Sequence, residues 1–292
     1  MTIAIYGRKL GSGASLNALR TLLLKLEKAK VKVLFYQPFL EEIKKRIKLK
    51  SSQTFSTHKD LEGKVKFLFS LGGDGTLLDT VTLIRDSEIP VMGINTGRLG
   101  FLSSISIDEI EAAVDAVLKG HYVPDKRTLL ELNVKGNYFS GCRYALNEIT
   151  VQKADSSSMI TIHASLNGKF LNTYWADGLI TSTPTGSTAY SLSCGGPIVM
   201  PDSDNFVITP VAPHNLNVRP VIISSNDVLT LEIEGRNPNY LVSLDSRSET
   251  IASSVKLSIK KADFLISLVK LHNHDFLSTL RNKLMWGIDK RN

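Results

Sequence analysis

The chain has 292 residues, 42% of them apolar and 22% charged, and a formal net charge of +7. At that length a single core stops growing, so two domains are expected, and the composition is that of a globular protein rather than a disordered chain. No apolar run approaches the roughly 18 residues of a membrane span, and Met1–Gly7 lacks the charged head and long apolar middle of a signal peptide, so the cytoplasm is the expected location.

The positive charge would suit an anionic partner. Much of it lies in Lys44-Lys45-Arg46-Ile47-Lys48-Leu49-Lys50, where helical spacing would put the cations on one solvated face. No aromatic residues interleave with basic ones as a stacking platform requires, so no nucleic acid is expected as partner, and without a spanning apolar run no membrane is expected either. Cys142 and Cys194 show no metal-ligand spacing and no disulfide framework, and are read as reduced thiols. His272-Asn273-His274-Asp275 is read as a polar turn rather than a metal fragment.

The first hundred residues alternate strand and helix. Residues 2–6 read as a strand, and residues 14–29 as an amphipathic helix capped by Ser12 or Ser15. A strand at 31–36, a charged helix and a polar loop at 51–60 follow. Then come a strand around Phe67, a glycine turn, a helix from Leu77, and a strand at Val91–Asn95. This rhythm implies a parallel, doubly wound sheet, whose ligands sit beyond the carboxyl ends of the strands. Asp74 and Asn95 both fall there. Ile107–Leu118 reads as a helix that could bridge the two halves.

The period then changes to two. Leu130–Val134, Ile160–Leu166 and Val228–Glu234 alternate apolar with polar residues, and Asn167-Gly168 marks a hairpin. Leu241–Leu244, Val255–Ile259 and Phe264–Val269 read as further strands. The expected fold class is thus α/β plus all-β: an N-terminal doubly wound, Rossmann-like parallel-sheet domain (1–105) and a C-terminal β-sandwich-like domain (106–262). The segment 263–292 would pack back on the first domain.

The glycine turn carries the first chemical signal. No Gly-x4-Gly-Lys-Ser/Thr pattern occurs. The dinucleotide fingerprint fails as well, with Leu16 and Leu78 standing where Gly11-Ser12-Gly13 and Gly73-Asp74-Gly75 would need a third glycine. Yet Gly72, Gly73 and Gly75 let the backbone approach a phosphate, and the start of the Leu77 helix attracts anions. Asp74 would repel that phosphate unless it has a task of its own. Three are open: to help hold Mg²⁺, to accept the proton of an attacking hydroxyl, or merely to cap the helix.

The second half adds two more segments. Asn147-Glu148 sits in a β-rich stretch, where adjacent side chains face opposite ways. The pair suits the two hydroxyls of a ribose, or a plain strand end. Asp177-Gly178 then leads into a run crowded with hydroxyls from Thr181 to Ser193, ending at Gly196-Pro197. Small residues and hydroxyls suit close approach to a sugar or base, and Tyr190 offers a ring and a hydroxyl. Leu179, Ile180, Leu192 and Ile198 punctuate the run with core residues, unlike a linker.

Together, Gly72-Gly73-Asp74-Gly75-Thr76, Asn147-Glu148 and Asp177 through Pro197 resemble the NAD kinase family. The resemblance spans Leu68 to about Asp245. The first motif is shared with diacylglycerol and sphingosine kinases and distantly with phosphofructokinase; the other two are more specific. The resemblance implies transfer of the γ-phosphoryl of ATP to the 2′-hydroxyl of the adenosine ribose of NAD, giving NADP. It implies Asp74 as proton acceptor and Gly75 as its phosphate-facing neighbour. It implies that Asn147 and Glu148 hold the adenosine part and that Asp177 lies near the nicotinamide end. Thr185 and the run Thr188, Ala189, Tyr190, Ser191, Leu192 and Ser193 would line the dinucleotide site, with Ala212 near bound NAD. Arg247 stands where relatives often carry another polar residue. A divalent metal, usually Mg²⁺, a homodimer or homotetramer, and a crevice between the halves holding both substrates are implied too. Trp175, where many relatives have a basic or very small residue, bears on the choice between NAD and NADH. Cys194 replaces a frequent alanine. The rival readings are a lipid kinase of the diacylglycerol type, which would need an apolar acyl pocket, and a non-catalytic dinucleotide sensor, which would not need Asp74.

Overall fold

The computed structural model describes residues 1–11, 13–47, 49, 53–97, 99–155, 159–272 and 274–287. The chain divides into two compact units, Met1–Lys126 with Ile266–Asn292, and Arg127–Leu265.

The first unit runs β1 (Thr2–Tyr6), α1 (Gly13–Lys28), β2 (Lys32–Tyr36), α2 (Gln37–Lys44), β3 (Gln53–Phe55), β4 (Phe67–Gly72), α3 (Asp74–Asp79), α4 (Val81–Ile84), β5 (Val91–Asn95) and α5 (Ile110–Lys119). Its strands lie parallel in the order β3-β2-β1-β4-β5. Such strands are covered on both faces, which is why β1, β4 and β5 read as near-continuous apolar runs. α1 turns Ala18, Leu19, Leu22 and Leu26 into the core, and α5 does so with Ile110, Ala113, Val114 and Val117. A Ser106–Glu109 capping box starts the turn that leads into α5, and Gly120 ends that helix in the left-handed region at φ 73°.

Four expectations change here. Ser15 lies inside α1 and is buried, so it caps nothing, while Ser12 lies outside the described residues. The polar segment 51–60 contributes β3, which extends the sheet beside β2; residues 51 and 52 lie outside the described residues. The Leu77 helix is two short helices, parted at Thr80, whose hydroxyl donates to the Leu77 carbonyl at 2.6 Å. α2 stops at Lys44, so the basic run is no helical face. Arg46 folds back instead toward the Leu10 carbonyl and Glu42; Lys48 and Lys50 lie outside the described residues.

The chain continues through β6 (Val123–Val134), β7 (Tyr144–Ala145), β8 (Glu148–Lys153), β9 (Ile160–Leu166), β10 (Lys169–Ala176), β11 (Gly178–Ser182), α6 (Tyr190–Ser193), β12 (Asn205–Val211), β13 (Val221–Ser224), β14 (Leu229–Glu234), β15 (Asn239–Leu244), β16 (Arg247–Ala252) and β17 (Leu257–Lys270). Within the second unit one antiparallel sheet has the order β13-β12-β11-β8-β15-β16, and β10, β9, β14 and the first part of β17 form another antiparallel set. Inward-facing residues of both, among them Val151, Leu179, Ile208, Ile162, Leu231 and Ile259, make one apolar core. Asn167 (φ 50°) and Gly168 (φ 77°) form the expected tight turn between β9 and β10. Val255–Ile259 and Phe264–Val269 prove to be parts of one strand, β17. Its residues from Ile266 onward belong to the first unit, where Leu268 pairs in parallel with Val91. α7 (Phe276–Leu284) closes the described chain, with Asp275 as its N-cap.

Candidate active site

In the first unit β4 delivers the chain to the glycine turn. Gly73 is the N-cap of α3 and Asp74 its first residue. The Asp74 carboxylate does not cap that helix. It accepts N–H bonds from a second loop: Phe101 at 2.8 Å on Oδ2, and Leu102 at 3.1 Å and Ser103 at 2.8 Å on Oδ1. Three amides thus hold a carboxylate that offers about four acceptor positions. Asn95, at the carboxyl end of β5, shapes this loop. Its Oδ1 accepts from the Gly97 N–H at 2.7 Å, and its Nδ2 donates to the Ser103 carbonyl at 3.3 Å.

Two kinds of glycine meet here. Gly100 is required by the protein itself, because a Cβ there would lie 1.8 Å from Asp74 Oδ1. Gly73 and Gly75 are not. A Cβ on Gly73 meets nothing within 4 Å, and one on Gly75 meets only the Arg8 guanidinium at 3.9 Å. Space over the turn is open, as approach by a ligand would need. Arg8, just past β1, is paired with Asp79, which also accepts from the Tyr6 hydroxyl at 2.9 Å. Burial and the Asp79 charge push the Tyr6 phenol above its ordinary range.

In the second unit the chain enters β8 through Leu146-Asn147-Glu148. All three backbone N–H groups donate to the Asp245 carboxylate, at 2.8, 2.8 and 3.1 Å. Asn147 Oδ1 and Glu148 Oε2 are buried with no hydrogen-bond partner among the described residues. Such an orphaned oxygen is costly unless a ligand or a proton satisfies it. Burial, then the Asp245 charge, push the Glu148 carboxyl up to about 8, against a partial offset from the Tyr190 N–H. Asp245 itself is pushed up to about 6 by burial, with the three amides and Arg247 pulling the other way. The three amides and Arg247 favour the Asp245 anion, whose charge opposes ionisation of Glu148.

Most hydroxyls of the 181–193 run are turned inward. Thr183 donates to the Leu146 carbonyl at 2.6 Å, Ser187 to the Pro184 carbonyl at 2.7 Å, and Ser191 lies 2.8 Å from the Thr209 hydroxyl. Thr185 is buried and accepts from Arg127 at 3.1 Å. These side chains build the shape of the loop. Thr188, Ala189 and Leu192 stay half-buried, Ser193 is exposed, and Tyr190 is exposed with its hydroxyl accepting from Gln152 at 2.9 Å. Gly186 presses on Asn147, whose carbonyl oxygen would lie 2.2 Å from a Cβ there. So Asn147, Glu148 and the 185–190 segment are neighbours. Asp177 pairs with Lys153 at 2.7 Å, and its N–H donates to the Val211 carbonyl, next to Ala212 at φ 45°. Arg247 donates to the carbonyls of Cys142 (2.6 Å) and Tyr144 and stacks over Phe139. Trp175 is about half exposed.

Sequence reasoning overlooked the 101–103 amides, Arg8 and Asp245. The available signs were the two glycines directly after β5, a cation at the carboxyl end of β1, and a polar pair, Asp245-Ser246, between two alternating runs. Among the described residues no three His, Cys, Asp or Glu side chains converge as a metal would need. His274 pairs with Glu109 at 2.8 Å and Asp275 caps α7, as a polar turn requires, and Asn273 lies outside the described residues. Both cysteines are free. Among the described residues no helix is long and apolar enough to cross a membrane.

The family model of the ATP-NAD kinase N-terminal domain matches residues 17–122, and that of the ATP-NAD kinase C-terminal domain residues 146–271. The NAD kinase of Cytophaga hutchinsonii is 48% identical over the full length of both chains. The chain belongs to the NAD kinase family. The NAD kinase of Flavobacterium psychrophilum is 53% identical over 82% of each chain. Among solved structures, yeast NADH kinase complexed with NADH superposes with a TM-score of 0.87 at 25% identity, over 99% of this chain and 89% of that one. An NAD kinase from Archaeoglobus fulgidus in complex with ATP, at 24% identity and a TM-score of 0.74 over 98% of this chain and 99% of that one, shares the fold. The chain is therefore a phosphotransferase with a parallel α/β unit and an antiparallel β-rich unit. Nothing in the comparisons supports a lipid kinase or a sensor.

Proposed function

We propose that this enzyme moves the γ-phosphoryl of ATP to the 2′-hydroxyl of the adenosine ribose of NAD, with Asp74 as proton acceptor. The observation that carries the reading is Asp74 itself, clasped by three amides beside a turn in which Gly73 and Gly75 have no crowding neighbour that would require glycine. The ribose oxygen bonds to phosphorus, the bond from phosphorus to the ADP oxygen breaks, and the hydroxyl proton passes to the carboxylate. A free carboxylate, with pKa near ~4, is a weak base for an alcohol. In a loose phosphoryl-transfer transition state the demand is mostly for positioning, which the clasp supplies.

Gly73 and Gly75 leave room for phosphates, with Arg8 beside Gly75 as a cation. Asn147 and Glu148 offer their unpartnered oxygens to ribose hydroxyls. Asp177, Thr185, Thr188 to Ser193, Ala212 and Arg247 shape the rest of the dinucleotide site. Asp74, a hard oxygen donor beside the open turn, would help hold Mg²⁺, which would neutralise charge on the transferred group. The reading includes a homodimer or homotetramer in the cytoplasm.

The test is a coupled assay for NADP formation from NAD, ATP and Mg²⁺, with NADH and diacylglycerol as parallel acceptors. Asp74→Asn should lose turnover by at least about a thousandfold while NAD still binds. Undiminished turnover in that variant would refute the role of Asp74. Phosphorylation of NADH in preference to NAD would reassign the acceptor.

A further inference from the structure

The turn between β15 and β16 is built more elaborately than a hairpin needs. Leu244 pairs with Arg247, so Asp245 and Ser246 are the whole loop, and Asp245 sits in the left-handed region at φ 52°. Glycine or asparagine would serve such a turn as well. A carboxylate adds a second acceptor oxygen and a charge, and both are used. Oδ1 takes the N–H groups of Asn147 and Glu148, and Oδ2 takes that of Leu146. Two residues on, Arg247 donates to the carbonyls of Cys142 and Tyr144. One hairpin turn thus grips residues 142–148 by its amides with an anion and by its carbonyls with a cation. From elsewhere, Thr183 bonds the carbonyls of Leu146 and Asn147, and Gly186 lies against the Asn147 backbone. This anchored backbone therefore carries Asn147 and Glu148, each with a buried oxygen that has no partner among the described residues.

We propose that Asp245 is a positioning residue for the dinucleotide: its carboxylate fixes the backbone of residues 146–148 and so sets Asn147 Oδ1 and Glu148 Oε2 against the substrate hydroxyls. This rests on the reading that Asn147 and Glu148 hold NAD. Asp245 touches no reacting atom and acts through that pair. It has a second, electrostatic effect on Glu148. The groups facing Glu148 are the Asp245 carboxylate, the Tyr190 N–H and the Cys194 thiol, and Arg247 faces Asp245. Of these, Asp245 supplies the charge that keeps Glu148 protonated to higher pH.

Asp245→Asn keeps the turn, its backbone angle and one acceptor, and removes the charge and the second acceptor. In the full-length enzyme it should raise the KM for NAD at least about tenfold, with kcat and the KM for ATP within about threefold. The pH midpoint of kcat/KM for NAD should move down, because Glu148 ionises more readily. A merely structural role would not move that midpoint. Asp245→Glu keeps the charge but displaces it, so it should raise the KM for NAD and leave the midpoint in place; it also serves where Asp245→Asn fails to fold. An unchanged KM for NAD in the folded variants, with an unshifted midpoint, overturns the proposal. Asn147→Ala and Glu148→Gln run alongside. If they raise the KM for NAD and the Asp245 variants do not, positioning fails alone. If they too leave it unchanged, the underlying reading of the pair fails.

Discussion

Replacing Gly100 by alanine adds one methyl group at the point where Asp74 is held. The new Cβ would lie 1.8 Å from Oδ1, 2.3 Å from Cγ and 2.6 Å from Oδ2 of Asp74. To restore a 3.4 Å contact, the carboxylate or the loop must retreat by about 1.6 Å, the difference from that 1.8 Å. Neither can move so far and keep N–H bonds of 2.8, 3.1 and 2.8 Å to the next three residues. A displacement of about 1 Å near the reacting atoms costs on the order of a hundredfold in rate. Gly100→Ala should therefore lower kcat for NADP formation by about a hundredfold or more, with the KM for NAD within about threefold. Gly97→Ala is the matched control. A Cβ there meets only Asn95 Oδ1 at 3.9 Å, and its own N–H bond to that oxygen is kept. The measurement is steady-state turnover in the coupled assay, with melting curves to show that all variants fold. A kcat for Gly100→Ala within about threefold of wild type would refute the claim that the clasp places Asp74.

Three further outcomes follow from the same geometry. Gly75→Ala should melt within about 2 °C of wild type, because nothing crowds that position, while its KM for ATP rises about tenfold; an unchanged KM would mean that no phosphate approaches there. In the Asp74→Asn background, Gly100→Ala should cost little more turnover, since both act through one carboxylate; additive losses would show that the loop acts on substrate directly. The Glu148 carboxyl is raised to about 8 in the folded chain, so it keeps a proton that the unfolded chain has lost. Stability present below the unfolded value of about 4.3 is then lost as pH rises through the folded value. The melting temperature of wild type should fall over that window and fall less in Glu148→Gln; parallel slopes would sink the assignment.

What could be read from the chain was local. The Asn167-Gly168 turn, the apolar runs of β1, β4 and β5, and the alternation of β14 are properties of neighbouring residues. The motifs that matched the family were local as well. Errors arose where distant partners decide. Lys260-Lys261 resembles a turn between two strands, yet Lys260 reaches Glu131, Lys261 reaches Asp204, and Ala262 is buried, so β17 runs on unbroken. The 181–193 run showed its hydroxyls but not their direction: most of them bond to the backbone of their own loop or to the segments they pack against, and so shape that loop. Asp245 was invisible because its partners lie 97 to 99 positions away. The clasp on Asp74 crosses only 27 to 29 positions, and its sign, a second glycine pair after β5, carried no meaning until a carboxylate was seen to fill the space.

Asp74 and Asp245 are held alike, each by three consecutive backbone N–H groups. The choice has a physical reason. A lysine or arginine would pair with a carboxylate more strongly, but its charge sits on a flexible stem and binds phosphate equally well. Beside a substrate rich in phosphate such a cation would be drawn away, and the carboxylate would lose its place as the reaction begins. Backbone amides carry only partial charge and cannot follow a ligand. Their direction is set by the fold, so the cost of ordering them is met on folding rather than at each turnover. Arg8, beside Gly75, is paired with Asp79, which holds its guanidinium in place next to the turn. The same logic separates the two aspartates. Asp74 has about one acceptor position left after its three amides, which is what the proposed role of proton acceptor needs. Asp245 is half-buried and, in the role proposed for it, acts through the residues whose backbone it fixes, its charge falling on Glu148.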